Sequence, residues 1–119
     1  MGDISEHFNR WEFECKCNSC GRDAVDVELL MALEDLRKHF NQPVYILSAN
    51  RCTKHNIFVG GAKHSMHLKS KASDVVVTDI RPEIVYEYLI AKYPDKYGIG
   101  RYDSFVHLDV RQKKTRWRG

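Results

Sequence analysis

Residues 105–110 read FVHLDV, and apolar and polar side chains alternate along the last five of them. Successive side chains of a β-strand point to opposite faces of the sheet, so the alternation predicts a strand. One face carries the polar pair His107 and Asp109, which we expect at an open surface. The other face is apolar and is expected in the core: Val106, Leu108 and Val110.

The chain has the size and composition of one globular domain, residues 1–119. It is 43% hydrophobic and 29% charged, which excludes a disordered or a fibrous protein. No apolar run approaches the roughly 18 residues of a membrane helix. The formal net charge of +3 is too small to indicate nucleic-acid binding by itself.

Periodicity and breaker residues predict two helices and four strands. The first helix follows the N-cap Asp26 and ends before Pro43. The second begins at Pro82 and ends before Pro94. The strands are expected at residues 43–48, 74–78, 97–102 and 105–111. Residues 49–66 are expected to form a long functional loop. These elements predict an α+β fold with a small, mostly antiparallel sheet and two main helices.

Each helix has an apolar face that we expect to be buried. On the first helix this face consists of Leu29, Leu30, Leu33, Leu36 and Phe40. On the second it consists of Ile84, Val85, Tyr88 and Leu89.

A second polar cluster precedes the strand at 74–78. The stretch KHSMHLKSKASD, residues 63–74, contains His67 and ends at Asp74. If this strand lies beside the strand of His107, the three side chains meet. Two imidazoles and one carboxylate are a sufficient protein set for catalytic zinc, with water in the fourth position. The alternative is that the histidines are structural.

The cysteines suggest a second metal site: Cys15, Cys17, Cys20 and Cys52. The spacing of the first three is close to that of a zinc knuckle, and Cys52 would complete a tetrahedral structural site. The N-terminal sequence MGDISEHFNR has acids where a signal peptide has a basic and then an apolar region. We therefore expect a protein that is cytoplasmic as synthesised, without a disulfide framework. For the four cysteines, the alternative to a metal site is a cluster of reduced thiols near the surface.

The stretch 111–118 concentrates five cations with one tryptophan. Charge runs usually face water, so a solvated end is expected. The alternative is attraction to an anionic surface, such as a bacterial cell wall or nucleic acid.

The combination of Ser65-x-His67-x6-Asp74 with a late His-x-Asp strand resembles the zinc D-Ala-D-Ala carboxypeptidase family, which shares its fold with the hedgehog signalling domain. Further matches resemble the compact branch of that family that is common among phage endolysins. They are SEHFNRWEF at 5–13, SANR at 48–51, GGA at 60–62, YGIG at 97–100 and FVHLDVR at 105–111.

The resemblance implies roles for individual residues. The zinc ligands would be His67, Asp74 and His107, with His64 a loop side chain near the mouth of the site. Arg51 would bind the substrate carboxylate or the developing oxyanion, the alternative being an exposed loop cation. Ser65 would hydrogen-bond substrate or orient a ligand, the alternative being a turn or helix cap.

The sequence departs from the family pattern at three positions. Ser70 stands where glycine is usual, in a tight turn. Asn50 replaces a residue that is often aromatic, which we expect to alter the substrate pocket. Ser104 stands where several branches have an acidic general base. Asp109 is our first substitute for this base, because two strand residues span about 7 Å and leave room for a zinc-bound water; Asp103 is the second.

The function implied is that of a zinc-dependent peptidoglycan peptidase, either a D-Ala-D-Ala carboxypeptidase or an endopeptidase of the phage endolysin type. The expected partner is a peptidoglycan stem peptide, and the protein would act as a monomer on the cell wall of an infected bacterium after release. Nucleic acid and membrane are not expected partners. The alternatives are a non-catalytic zinc-binding module, as in hedgehog, and a nucleic-acid-binding protein that uses the basic tail and the cysteines.

Overall fold

The computed structural model describes residues 2–17, 20, 23–60 and 66–119, with the side chains of residues 53–55 excepted. The helices are α1 (Val27–Phe40), α2 (Thr53–Phe58) and α3 (Pro82–Lys92), with 3₁₀ helices at Arg10–Phe13 and Met66–Lys69. The strands are β1 (Val44–Ser48), β2 (Ala72–Val77), β3 (Gly98–Arg101), β4 (Val106–Asp109) and β5 (Thr115–Arg118).

The five strands form one sheet in the order β1-β2-β4-β3-β5. β2 pairs antiparallel with β1 and β4, and β3 pairs antiparallel with β4. Only β5 runs parallel to its neighbour β3 among the described pairs. The predicted α+β class and the mostly antiparallel sheet are confirmed.

Helix α1 has the start, the end and the buried face that its sequence predicts. The side chain of Asp26 accepts a hydrogen bond from the backbone N–H of Glu28 at 2.9 Å, which caps the N-terminus. Asn41 ends the helix in the left-handed conformation, at φ 52°. Four side chains are buried: Leu29, Ala32, Leu33 and Leu36. Leu30 and Phe40 are partly buried against the same core.

Helix α3 begins at Pro82 as expected, but its buried face is shifted from the predicted one. The buried residues are Val85, Tyr86 and Leu89, whereas Ile84 is 39% exposed. Positions 82, 85, 86 and 89 lie on one helical face, and the ring of Tyr86 fills it. Tyr88 is partly buried and donates its hydroxyl to Asp35 of α1 at 2.5 Å. Including Ile84 in the buried face was wrong.

Two segments are more ordered than the sequence predicts. The expected loop 49–66 contains helix α2, and the second 3₁₀ helix begins at its end. The expected solvated tail contains strand β5. The guanidinium of Arg116 donates to the backbone carbonyls of Tyr93, Lys96 and Tyr97 at 2.5 to 3.1 Å, so this cation holds the strand in place.

The two faces of the sheet have different roles. One face packs with α1 and α3 into the hydrophobic core and includes Val75, Val77, Ile99, Val106 and Leu108. The opposite face carries the polar side chains of β2 and β4. Within the described ranges, no helix is long and apolar enough to cross a membrane.

Candidate metal centre and active site

A row of four residues crosses the polar face of the sheet. Asp74 on β2 is directly opposite His107 on β4, and His107 is opposite Gly100 on β3. Gly100 is in turn opposite Trp117 on β5. Because directly opposite residues project from the same face, the Oδ1 atom of Asp74 lies 3.0 Å from Nδ1 of His107. The strands that carry Asp74 and His107 are therefore adjacent in the sheet, as predicted.

His67 reaches this row from the 3₁₀ helix Met66–Lys69, which precedes β2. Its ring is buried, and its Nδ1 lies 2.6 Å from the backbone carbonyl oxygen of Ala49. A carbonyl only accepts, so Nδ1 carries the proton and Nε2 is the nitrogen with the lone pair. That Nε2 lies 3.3 Å from Oδ1 of Asp74. Ser70 completes the turn at φ 62°, the left-handed conformation that explains why the family pattern has glycine there.

The ring of His107 is held between two carboxylates. Its Nε2 lies 2.8 Å from Oδ2 of Asp109, while its Nδ1 faces Asp74. Asp109 also accepts from Nε and Nη2 of Arg111 at 2.8 and 2.7 Å and from the backbone N–H of Gly98 at 3.1 Å. Asp109 therefore fixes the tautomer of His107 with the proton on Nε2, which leaves Nδ1 as the ligand atom.

We expected His107 and Asp109 at an open surface and about 7 Å apart, and both expectations were wrong. His107 is 8% exposed and Asp109 is fully buried. The ring of Trp117 packs on the ring of His107 with centroids 5.0 Å apart, and the Arg111 guanidinium lies over the same indole. Asp109 contacts the imidazole directly, because both side chains lean toward each other along the strand. There is no space for a water molecule between Nε2 and Oδ2 at 2.8 Å.

Their surroundings keep both carboxylates ionised. Burial raises the pKa of Asp74, but the neighbouring rings of His107 and His67 outweigh it and hold this pKa well below its usual range. Burial also opposes ionisation of Asp109, yet the hydrogen bonds from His107 and Arg111 lower its pKa to about 2. Burial lowers the pKa of His107, and its two carboxylate partners reverse this and raise it. Asp74 is thus ionised and can serve as an anionic ligand for a cation.

The three residues fit a zinc ion. Each offers one ligand atom, and the ligand atoms of His67, Asp74 and His107 lie within 4.8 Å of one another. Two imidazole nitrogens and one carboxylate oxygen are a zinc donor set, and each histidine has a partner that orients its other nitrogen. In the described part of the chain, the carboxylates that contact the two rings are Asp74 and Asp109.

Arg51 lies at the edge of this centre, and its side chain is only 15% exposed. Its Nη2 is 3.3 Å from Oδ2 of Asp74, and its backbone N–H donates to the carbonyl of His67 at 3.1 Å. Ser48 and Asn56 accept from its Nε and Nη1, each at 3.3 Å. The structure therefore brings the guanidinium to the site and does not leave it as an exposed loop cation.

Other predicted site residues are placed elsewhere. Ser65 and His64 lie outside the described residues. Asp103 and Ser104 are exposed at the turn before β4. The sulfurs of the cysteines form a second cluster, and each lies within 4.8 Å of the others: Cys15, Cys17, Cys20 and Cys52.

Asn50 is a buried residue that links segments of the chain. It is 1% exposed, its Nδ2 donates to the carbonyls of Phe13 and Ala24, and its Oδ1 accepts from the hydroxyl of Ser70 at 2.6 Å. The side chain points inward and joins three segments of the chain, and the expectation that the loss of an aromatic residue here alters the substrate pocket stays a prediction.

Sequence reasoning missed the residues that build the floor of the site. A Cβ on Gly98 would lie 2.5 Å from Oδ2 of Asp109, and a Cβ on Gly100 would lie 2.3 Å from Nε1 of Trp117. The two glycines thus make room for the Asp109–Arg111 pair and for the indole. The signal was present, since glycines two residues apart on a strand share one face.

A sequence model of the family described as Peptidase M15 matches residues 6–109, which include the three candidate ligands. No curated protein and no solved structure matches the chain. The family is zinc-dependent, in agreement with the donor set. The matched segment covers most of the chain, from just before the 3₁₀ helix Arg10–Phe13 through the end of β4, and the chain therefore belongs to the Peptidase M15 family.

Proposed function

We propose that this protein is a zinc-dependent peptidase that hydrolyses a bond of the peptidoglycan stem peptide. The observation that carries the proposal is the convergence of His67 Nε2, Asp74 Oδ1 and His107 Nδ1, with Arg51 beside them. Membership of the Peptidase M15 family supports a metallopeptidase of the peptidoglycan-peptidase kind.

The chain's own residues would prepare the centre for hydrolysis. The Ala49 carbonyl and Asp109 each hold the proton of the ring nitrogen that does not face the centre. A zinc ion held by the three ligands would polarise a peptide carbonyl and lower the pKa of a bound water to about 7. Arg51 supplies a cation next to the ligands, suited to a substrate carboxylate or to negative charge on the carbonyl oxygen.

Asp109 acts in this proposal as a positioning residue. Five hydrogen bonds end on its two oxygens, from His107, Gly98 and Arg111. A general base must reach the proton that it abstracts. An oxygen pair that is fully buried and engaged in this way is suited to orient an imidazole, so we propose this role for Asp109 in place of the general base.

The finer assignment rests on the resemblance of the sequence to endolysin-type relatives. We propose that the protein acts on the bacterial cell wall after release from an infected cell, as a carboxypeptidase or an endopeptidase on stem peptides. The exposed cations Lys113, Lys114 and Arg118 would favour the anionic wall.

A second candidate function is a non-catalytic zinc-binding module. The observation that favours it is that the two positions considered for a general base hold an engaged carboxylate and a serine. Asp109 is engaged with His107 and Arg111, and Ser104 stands at the position where several branches have the base. Zinc binding without hydrolysis of any stem peptide would select this function.

The proposal is tested with purified muropeptides and zinc-loaded protein. His67→Ala should lose the zinc of this centre and lower hydrolysis by several orders of magnitude, because one of three ligands is removed. The control is His39→Ala, which removes an exposed imidazole on α1. Metal analysis and circular dichroism would accompany the activity assay. Full metal-dependent hydrolysis by His67→Ala would contradict the proposal.

Mass spectrometry of the products identifies the bond. Loss of one terminal D-alanine indicates a carboxypeptidase, and release of an internal fragment indicates an endopeptidase. Muropeptides that remain intact with the zinc-loaded wild type would exclude the peptidase and leave the binding module.

A further inference from the structure

We propose that Cys15, Cys17, Cys20 and Cys52 bind a structural zinc ion, and that this ion fixes the loop that carries Arg51. The metal site stands independently of the proposed function, whereas its consequence for Arg51 rests on that function. The cluster joins the segment before α1 to the residue that follows Arg51.

The sulfur positions match tetrahedral zinc coordination. The Sγ atom of Cys52 lies 3.9 Å from that of Cys15 and 3.9 Å from that of Cys17. Zinc–sulfur bonds of about 2.3 Å at tetrahedral angles place neighbouring sulfurs about 3.8 Å apart. A disulfide would need a sulfur–sulfur distance of about 2.05 Å, so neither of these pairs is a disulfide.

Backbone amides support thiolates at two of the sulfurs. The N–H of Cys52 points at Sγ of Cys15 at 3.4 Å, and the N–H of Cys20 points at Sγ of Cys17 at 3.4 Å. Donors that orient a ligand and stabilise its charge are typical of metal sites. Four thiolates in a closed tetrahedral arrangement favour zinc over hard cations, which prefer oxygen ligands.

The cluster lies in a region where several contacts hold one short loop. Asn50 donates to the carbonyl of Phe13 at 2.8 Å, and the N–H of Arg51 donates to the carbonyl of His67. Cys52 follows directly and meets Cys15, which is buried. A metal at the cysteines would therefore restrain both ends of the backbone that places the Arg51 guanidinium beside Asp74.

The decisive measurement is the zinc content of protein purified under reducing conditions. The wild type should hold about two ions per chain, and the double variant His67→Ala/His107→Ala should retain about one. Cobalt substituted into that double variant should give the intense sulfur-to-cobalt absorption of a thiolate site. Because the cysteines are intact in this variant, the result does not depend on whether a cysteine variant folds.

Cysteine variants test the ligand set and the link to Arg51. Cys20→Ser, at an exposed position, should remove the cysteine-bound ion and leave the zinc of the histidine centre. With muropeptides, it should reduce kcat/KM in the presence of excess zinc, because the loop of Arg51 is released. Full activity in this variant would overturn the link. Failure of the wild type to hydrolyse would remove the proposed function and the link to Arg51 with it, and would leave the metal site unaffected.

Three results would overturn the site itself. The first is a double-histidine variant that holds no metal and whose thiols all react with a thiol reagent. The second is a disulfide between two of the four cysteines in the protein as purified, and the third is iron in place of zinc at the cluster.

Discussion

At the scale of single residues, the centre is defined by which nitrogen of each histidine is already engaged. His67 donates Nδ1–H to a carbonyl and His107 donates Nε2–H to Asp109, so the two rings present different nitrogens to Asp74. Strand phase is sufficient to predict that His107 and Asp109 share a face. It does not determine that they touch, because contact depends on rotamers and on the packing of Trp117 and Arg111 above them.

The positioning role of Asp109 gives a prediction that differs from that of a general base. Asp109→Asn should lower zinc affinity about 10–100-fold, because the neutral amide no longer makes the imidazole more basic and leaves Arg111 without its carboxylate. Excess zinc should restore most of the hydrolysis. Zinc titration and activity at saturating zinc would be measured together.

Asp103→Asn is the matched control, since Asp103 is exposed at the turn before β4. It should change neither the zinc affinity nor the rate of hydrolysis. A variant Asp109→Asn with normal zinc affinity and a rate lower by about two to four orders of magnitude at saturating zinc would show that Asp109 is the base after all.

At the scale of elements, strand β5 covers the site and, like helix α2, is an element that the sequence analysis missed. Its sequence TRWR is charged, so composition indicated a solvated end. Arg116 instead donates to backbone carbonyls, and Trp117 packs over Gly100 and His107. Helix α1, strand β2 and the β3–β4 pair could be predicted because their apolar periodicity is local. The pairing of β5 with β3 is a contact between distant residues, and it leaves no periodic signal.

Gly100 connects β5 to the site, which gives a prediction about stability. Gly100→Ala places a methyl group 2.3 Å from Nε1 of the indole, so Trp117 must move. Overpacking of this kind costs about 1–3 kcal/mol in the free energy of unfolding. Urea unfolding of metal-free protein would measure the loss.

The control is a double-mutant cycle with Trp117→Ala. If the clash is with the indole, Gly100→Ala should cost much less in the Trp117→Ala background than in the wild type. Equal costs in the two backgrounds would mean that the methyl group meets something other than Trp117.

At the scale of the whole molecule, the N-terminal segment is attached to α1 through one carboxylate. Glu34 accepts hydrogen bonds from the hydroxyl of Ser5 at 2.5 Å and from the backbone and ring of His7 at 2.7 and 2.6 Å. The next residue, Phe8, is 1% exposed in the core. Glu6 and His7 also form a third group of metal-ligand type with Glu34, but these contacts already account for its geometry. The segment that leads to the cysteines therefore depends on Glu34.

Glu34 should make the stability of the whole chain depend on pH in a defined direction. Burial raises its pKa, but the hydrogen bonds from Ser5 and His7 outweigh burial, so the folded pKa lies below the ordinary value of 4.5. The stabilisation is therefore complete above that value and is lost as the pH falls through the folded pKa. Glu34→Gln should cost about 1–3 kcal/mol at pH 7, and the difference from the wild type should shrink below about pH 4.5. Urea unfolding of metal-free protein across this range measures it, with Glu87→Gln, exposed on α3, as the control. A difference that stays constant down to pH 2 would show that the carboxylate charge of Glu34 does not hold the segment.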